Sequence, residues 1–220
     1  AALQELTVDQ SQAAAVDMHF LAILLQALDK SRDEVDAAYQ AAIRQYETEI
    51  TKYRRYLPLL ALCYADYGWF LRQSMHKYED AAFNYRRARG IFAVGTPAPF
   101  QVFTLCREAD AYLELGRWKL ADELLAEAMG LAEQFDPSQS HPLVASTFSR
   151  RAWASMQQWR IPDAQQRFRE ANAALEKYLI EHPEDFEALT AELHNDHGLA
   201  MAQRFAGDSV GALASYRAGE

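Results

Sequence analysis

The residues best suited to chemistry lie close together, with Glu192 just ahead of His194-Asn-Asp-His197. Histidines three apart share one face of a helix, so His194 and His197 could hold a divalent metal if a third ligand came from elsewhere. The other four histidines, His19, His76, His141 and His182, fall in distant segments, mostly where turns or linkers are expected, and no HExxH pattern occurs. Surface or helix-packing roles are the plainer reading of the pair; contact with a ligand is the functional one. Cys63 and Cys106 fall inside helical patterns, with no motif that would lower a thiol pKa, and read as buried thiols in a reducing compartment. No GxSxG nucleophile and no phosphate-cradling loop occur; Gly90 and Gly95 flank a helix end, not a strand-to-helix turn. Carboxylate pairs such as Asp122/Glu123 and Glu184/Asp185 fall where helix N-termini favour negative charge. No catalytic residue and no cofactor is expected, and a helical metal-dependent enzyme is the weakest of the functional readings.

Composition says what must position these groups. The 220 residues include 39 alanines and 25 leucines against 20 β-branched residues, and glycine and proline together number 16. Buried strands need Val/Ile runs and turns need Gly and Pro, so the expectation is an all-α chain of long helices. A net charge of −9 opposes a nucleic-acid partner. The basic clusters Lys52–Arg54–Arg55 and Arg86–Arg87–Arg89 are short and read as solvated helix faces. The strongest apolar run, Phe20-Leu-Ala-Ile-Leu-Leu25, is far below the ~20 residues that cross a bilayer. With no basic segment leading into an apolar stretch at the N-terminus, no signal peptide and no membrane partner are expected, and cytoplasm is the default location.

A period near forty residues runs through the chain. Pro58, Pro99, Pro142 and Pro183 stand 41, 43 and 41 residues apart, each opening a helical pattern, where the missing N–H is tolerated. Downstream of each comes Ala-x3-large-x2-small: Ala81/Tyr85/Ala88, Ala121/Leu125/Ala128, Ala164/Phe168/Ala171 and Ala212/Tyr216/Gly219. Offsets of four and seven place all three residues on one helix face, small groups admitting a neighbouring helix and the large one filling the gap. Between the two markers lie tight turns, two of them with a glycine, Gly116 and Gly207, suited to a left-handed backbone. Each unit reads as helix, turn, helix.

The copy Ala109-Asp-Ala-Tyr-Leu-Glu-Leu-Gly-Arg-Trp-Lys-Leu-Ala-Asp-Glu-Leu-Leu-Ala-Glu-Ala128 resembles a tetratricopeptide repeat (TPR), matching its pattern at Ala111, Tyr112, Leu115, Gly116, Trp118, Ala121, Leu125 and Ala128. The segment 136–145 is similar to the linker of the longer, kinesin-light-chain-like variety. The resemblance implies a right-handed superhelix of stacked antiparallel helix pairs over 1–220. Residues 9–55 form a degenerate repeat or N-terminal cap, with Ser31-x-x-Glu34 as a capping box, and repeats follow at 58–96, 99–136, 142–181 and 183–218.

The function the resemblance implies is non-catalytic binding of a protein or peptide of unknown identity in a groove lined by the first helices. Transferred groove positions include Asp66, Phe70 and Gln73; Phe103, Asp110 and Leu113; Ser149, Trp153 and Met156; and His194, His197, Met201 and Arg204, with Arg107 and Arg150 one residue along in adjacent repeats. Phe, Trp and Met there could take an apolar side chain while arginines hold a carboxylate; the competing reading of Phe70 and Trp153 is inter-repeat core. The family's Lys/Asn clamp for chaperone C-termini does not carry over, since those places hold Asp66, Phe70 and Asp110. Alternatives are a peptide-responsive sensor gating an attached output domain, and self-association through the terminal repeats.

Overall fold

The helical signals become ten α-helices and one 3₁₀ turn (Arg54–Tyr56), with no strand, among the residues that this computed structural model describes: 2–93, 97–138 and 141–218, with side chains from residue 14 onward. Gly95 and Gly219, named above, lie outside them. The helices are α1 (Ala2–Ala27), α2 (Arg32–Ile50), α3 (Leu57–Gln73), α4 (Tyr78–Phe92), α5 (Ala98–Glu114), α6 (Trp118–Phe135), α7 (Pro142–Gln157), α8 (Ile161–Glu181), α9 (Phe186–Phe205) and α10 (Ser209–Ala218). None is long and apolar enough to cross a membrane.

Two compact units divide the chain, Ala1–Pro97 and Ala98–Glu220. In the first, α1 pairs with α2 and α3 with α4, and the leading helices α1 and α3 touch. In the second, α5/α6, α7/α8 and α9/α10 pair, while α7 contacts both α5 and α9.

The small–large–small faces make these pairings. In α4, α6 and α8 all nine residues of the motif are fully buried: Ala81/Tyr85/Ala88, Ala121/Leu125/Ala128 and Ala164/Phe168/Ala171. Alanine lets the partner helix approach, and the large residue fills what is left. The fourth copy is looser, for Ala212 is buried but Tyr216 is 37% exposed. Two glycines on leading helices complete the fit. A Cβ at Gly68 would lie 3.1–3.2 Å from the Tyr85 ring, and one at Gly198 would lie 2.4 Å from Cζ of Phe168.

Turn chemistry follows the sequence at most positions. Gly116 and Gly207 have φ of 69° and 83°, the left-handed conformation glycine adopts at no steric cost. At the matching places of other pairs, Asp29, His76 and Trp159 take φ between 51° and 56°, so the hairpin geometry overrides the residue type. Ser31 caps α2, accepting from the Glu34 N–H while the Glu34 carboxylate accepts from the Ser31 N–H. Pro58, Pro142 and Pro162 occupy first turns. Pro183 does not: α9 begins only at Phe186, because the Asp185 side chain accepts from the Glu187 and Ala188 N–H groups and caps it there.

Candidate functional site

In the first unit, α3 carries Asp66, Phe70 and Gln73. Gln73 is exposed and Asp66 half-buried, but Phe70 is only 2% exposed, its ring centroid 5.8 Å from that of Tyr39. It belongs to an aromatic core with Tyr39 and Tyr67, whose rings stack at 5.4 Å. Asp66 accepts a partner that sequence reasoning did not assign: Nε2 of His19, on α1, stands 2.9 Å from Oδ2. Beside this pair, Ile23, Gln26, Ala27, Tyr39, Asp66 and Trp69 line a cleft of about 390 Å³. A histidine and an aspartate 47 residues apart, near one repeat length, were the signal available for the pairing.

In the second unit, α5 and α7 bring the two arginines of the expected groove together around Asp110. Arg150 Nε donates to both Asp110 oxygens, at 3.0 and 3.2 Å, and its Nη1 donates to the Ser146 carbonyl at 3.1 Å and to the Ser146 hydroxyl. Arg107 reaches the same carboxylate at 3.9 Å and lies 5.0 Å over the ring of Phe103, which is itself 41% exposed. Arg150 therefore joins adjacent leading helices, with its side chain 23% exposed. Leu113 and Ser149 are half-buried. Met156 sits in the core cluster around Phe168, and Trp153 packs on that cluster, its ring meeting Phe168 edge-on at 5.3 Å.

On α9, His194 and His197 are exposed but not convergent: His194 lies 5.3 Å from the Trp153 ring and His197 5.6 Å from Tyr216. Among the described residues no three His, Cys, Asp or Glu groups come together to hold a metal ion. Met201 packs against the Phe168 cluster, and Arg204 is exposed with its guanidinium 5.9 Å over Phe205.

Both cysteines are buried in these faces and free. Burial is the main cause that pushes each thiol pKa up, with the Asp66 charge adding to it at Cys63 and the Arg150 charge opposing it at Cys106. Burial thus disfavours the thiolate at both.

Polar contacts about one repeat apart recur on the second helices. Arg87 donates to Glu47 at 2.8 Å and lies 4.4 Å over the Tyr64 ring while its side chain stays 45% exposed, so this member of a basic cluster is solvated and also ties α4 to α2. Asp122 receives Arg160 at 3.0 Å, with Arg167 at 3.7 Å and Arg151 at 4.0 Å. Sequence assigned Asp122 only to its helix N-terminus. On α9, burial first, and then the charge of Glu176, raises the Asp196 pKa against a 2.6 Å hydrogen bond from Asn172; Glu192 is raised by burial, Asp196 and Glu176. A carboxyl with a raised folded pKa holds its proton more tightly in the fold than in the unfolded chain, so stability falls as pH rises through that pKa. Asp196→Asn is accordingly expected to raise the urea midpoint near pH 7, by an amount that shrinks as pH falls toward and below the ordinary aspartate pKa of about 3.9. Midpoints across that pH range check this.

Paired helices, alanine crossings and left-handed hairpin turns define a TPR-like helical-repeat protein. The chain is similar to BtubC (BKLC) from P. vanneervenii, with a TM-score of 0.77 over 99% of this chain and 87% of that one at 17% identity. It is also similar to a kinesin light chain of Podosopora anserina with nearly identical TPR-like repeats, with a TM-score of 0.69 over 94% of each chain at 19% identity. No family model matches the sequence, and no curated protein matches it. The fold is thus all-α and of the kinesin-light-chain-like TPR kind.

Proposed function

We propose that the chain is a non-catalytic scaffold that binds a peptide or a protein segment along its leading helices, each helix pair acting as one repeat. One observation carries this reading. The leading helices keep large apolar side chains in solvent that the packing leaves uncovered: Trp69 on α3, Phe100 and Phe103 on α5, and Phe186, Leu189 and Leu193 on α9. Within each unit such exposed large apolar side chains, beyond what packing requires, mark interaction surface, and preformed repeat faces bind with little rearrangement.

Selection of random short peptides on the immobilised chain tests it. Enrichment of a related peptide set, with binding lost in Trp69→Ser or Phe103→Ser, is the expected result. If no peptide is enriched, or if both variants bind as well as wild type, the reading fails. The regulatory alternative adds a ligand-driven change in dimensions, which solution scattering with and without the enriched peptide reads directly. Self-association has its own support in α10, which buries Ala212 but exposes Val210 and Leu213; a solution mass measurement tests it.

A further inference from the structure

We propose that the cleft between α1, α2 and α3 binds the cationic side chain, lysine or arginine, of a peptide with apolar flanking residues. This rests on the scaffold reading and names the ligand chemistry of one part of it.

The cleft of about 390 Å³ is at the small end of the roughly 300–1,000 Å³ typical of ligand pockets and suits a side chain with its immediate neighbours. Its floor is Tyr39, buried, with its hydroxyl committed as donor to Gln26 Oε1 at 2.9 Å, so the phenol does not compete for Asp66. Asp66 supplies the charge. His19 holds its Oδ2 at 2.9 Å, while among the described residues Oδ1 has no hydrogen-bond partner and no lysine or arginine pairs with the carboxylate, whose side chain is 46% exposed. Trp69 stands three residues along α3, which puts indole and carboxylate on one helix face. Trp69 is 40% exposed, and no ring or cation stands against its indole among the described residues.

These groups select a cation. An ammonium or guanidinium entering the cleft meets the open carboxylate oxygen and the face of Trp69, an attraction of both charge and ring quadrupole. Its methylene stem lies against Ile23 and Ala27. An anion would meet Asp66 with like charge, and a purely apolar group would desolvate Oδ1 with nothing in exchange. Apolar ground continues beyond the cleft, because Phe20, Ile23 and Ala27 form one stripe of α1 and Phe20 is exposed. A small free amine leaves that stripe uncovered; a peptide with apolar neighbours covers it.

The test uses the full chain labelled with 5-fluorotryptophan, whose four tryptophans give separate fluorine signals assigned by single substitution. The probes are capped Leu-Lys-Leu peptides, the same peptides with norleucine or glutamate in place of lysine, and N-acetyl-lysine methylamide as the free amine. The lysine peptide is expected to shift the Trp69 signal and to bind about tenfold more tightly than either replacement. In Asp66→Asn, where the new amide oxygen still accepts from His19, the lysine preference is expected to vanish with helicity unchanged. Should that variant misfold, salt supplies the discrimination: wild-type affinity for the lysine peptide falls as salt rises, and that for the norleucine peptide does not.

Equal affinity for lysine and norleucine peptides, no movement of Trp69, or a lysine preference that survives Asp66→Asn and added salt would overturn the assignment. So would free amine binding as tightly as peptide. If other peptides are enriched in the selection and bind away from Trp69, this site fails while the scaffold stands; if none is enriched, both fail.

Discussion

Replacing Phe168 with alanine is expected to remove about 3–5 kcal/mol of stability from the second unit, the range for a fully buried aromatic side chain. Phe168 is the large member of its small–large–small face. It is fully buried among Ala152, Met156, Ala164, Leu199 and Ala202, which come from α7, α8 and α9, and Trp153 meets its ring edge-on. One side chain thus joins two helix pairs, and its loss leaves a cavity that neither can close alone. A urea transition read by far-UV circular dichroism reports the effect. A midpoint indistinguishable from wild type would refute the register that makes this position the centre of a helix crossing.

Gly198→Ala is expected to destabilise the same unit, although alanine is the better helix former. The added Cβ would lie 2.4 and 2.5 Å from Cζ and Cε1 of Phe168, so the ring or the helix must move, at roughly 1–3 kcal/mol for overpacking. That exceeds the gain of about 1 kcal/mol from helix propensity. Gly130, in α6, supplies the contrast: nothing lies within 4 Å of a Cβ there, and Gly130→Ala should stabilise by about 0.4–1 kcal/mol. The two sites also differ in coupling. Once Phe168 is alanine the clash at 198 is gone, so Gly198→Ala should become neutral or favourable in that background. Additive effects in the double mutant would show that the contact is not the cause.

These two sites also show what could be read before any coordinates. Phe168 was legible because Ala164, Phe168 and Ala171 repeat a spacing found in three other places, and a spacing of four and seven permits only one helix face. The fit of Gly198 was not, because a glycine inside a helical pattern does not say which ring stands opposite it. Polar pairings escaped for a similar reason. His19 with Asp66, Arg87 with Glu47, and Arg160 with Asp122 are 47, 40 and 38 residues apart, so they depend on how one repeat is laid on the next. Periodicity fixes that stacking only to within about a turn.

The candidate faces were legible as rows, not as roles. Positions three and four apart on α3 or α7 describe a stripe wide enough to straddle groove and core. The structure turns Phe70 and Met156 inward, leaves Gln73 and Phe103 in solvent, and keeps Asp66 half-buried. Residue type does not separate these, since phenylalanine occurs on both sides. Arg150 is divided between roles: its bond to Asp110 holds α5 to α7, so Arg150→Glu would oppose two carboxylates and disturb packing as well as binding. Trp69, which belonged to none of the transferred rows, lies on the same face as Asp66 because it follows by three residues.

Hydrogen exchange of the full chain, with and without a peptide enriched in selection, tests the central claim most directly. A ligand lying along the leading helices of a unit slows exchange in and beside α1 and α3 in the first, or α5, α7 and α9 in the second, strongest where Trp69 or Phe103 is exposed. Protection confined to α2, α4, α6 and α8, or to α10 alone, would contradict it.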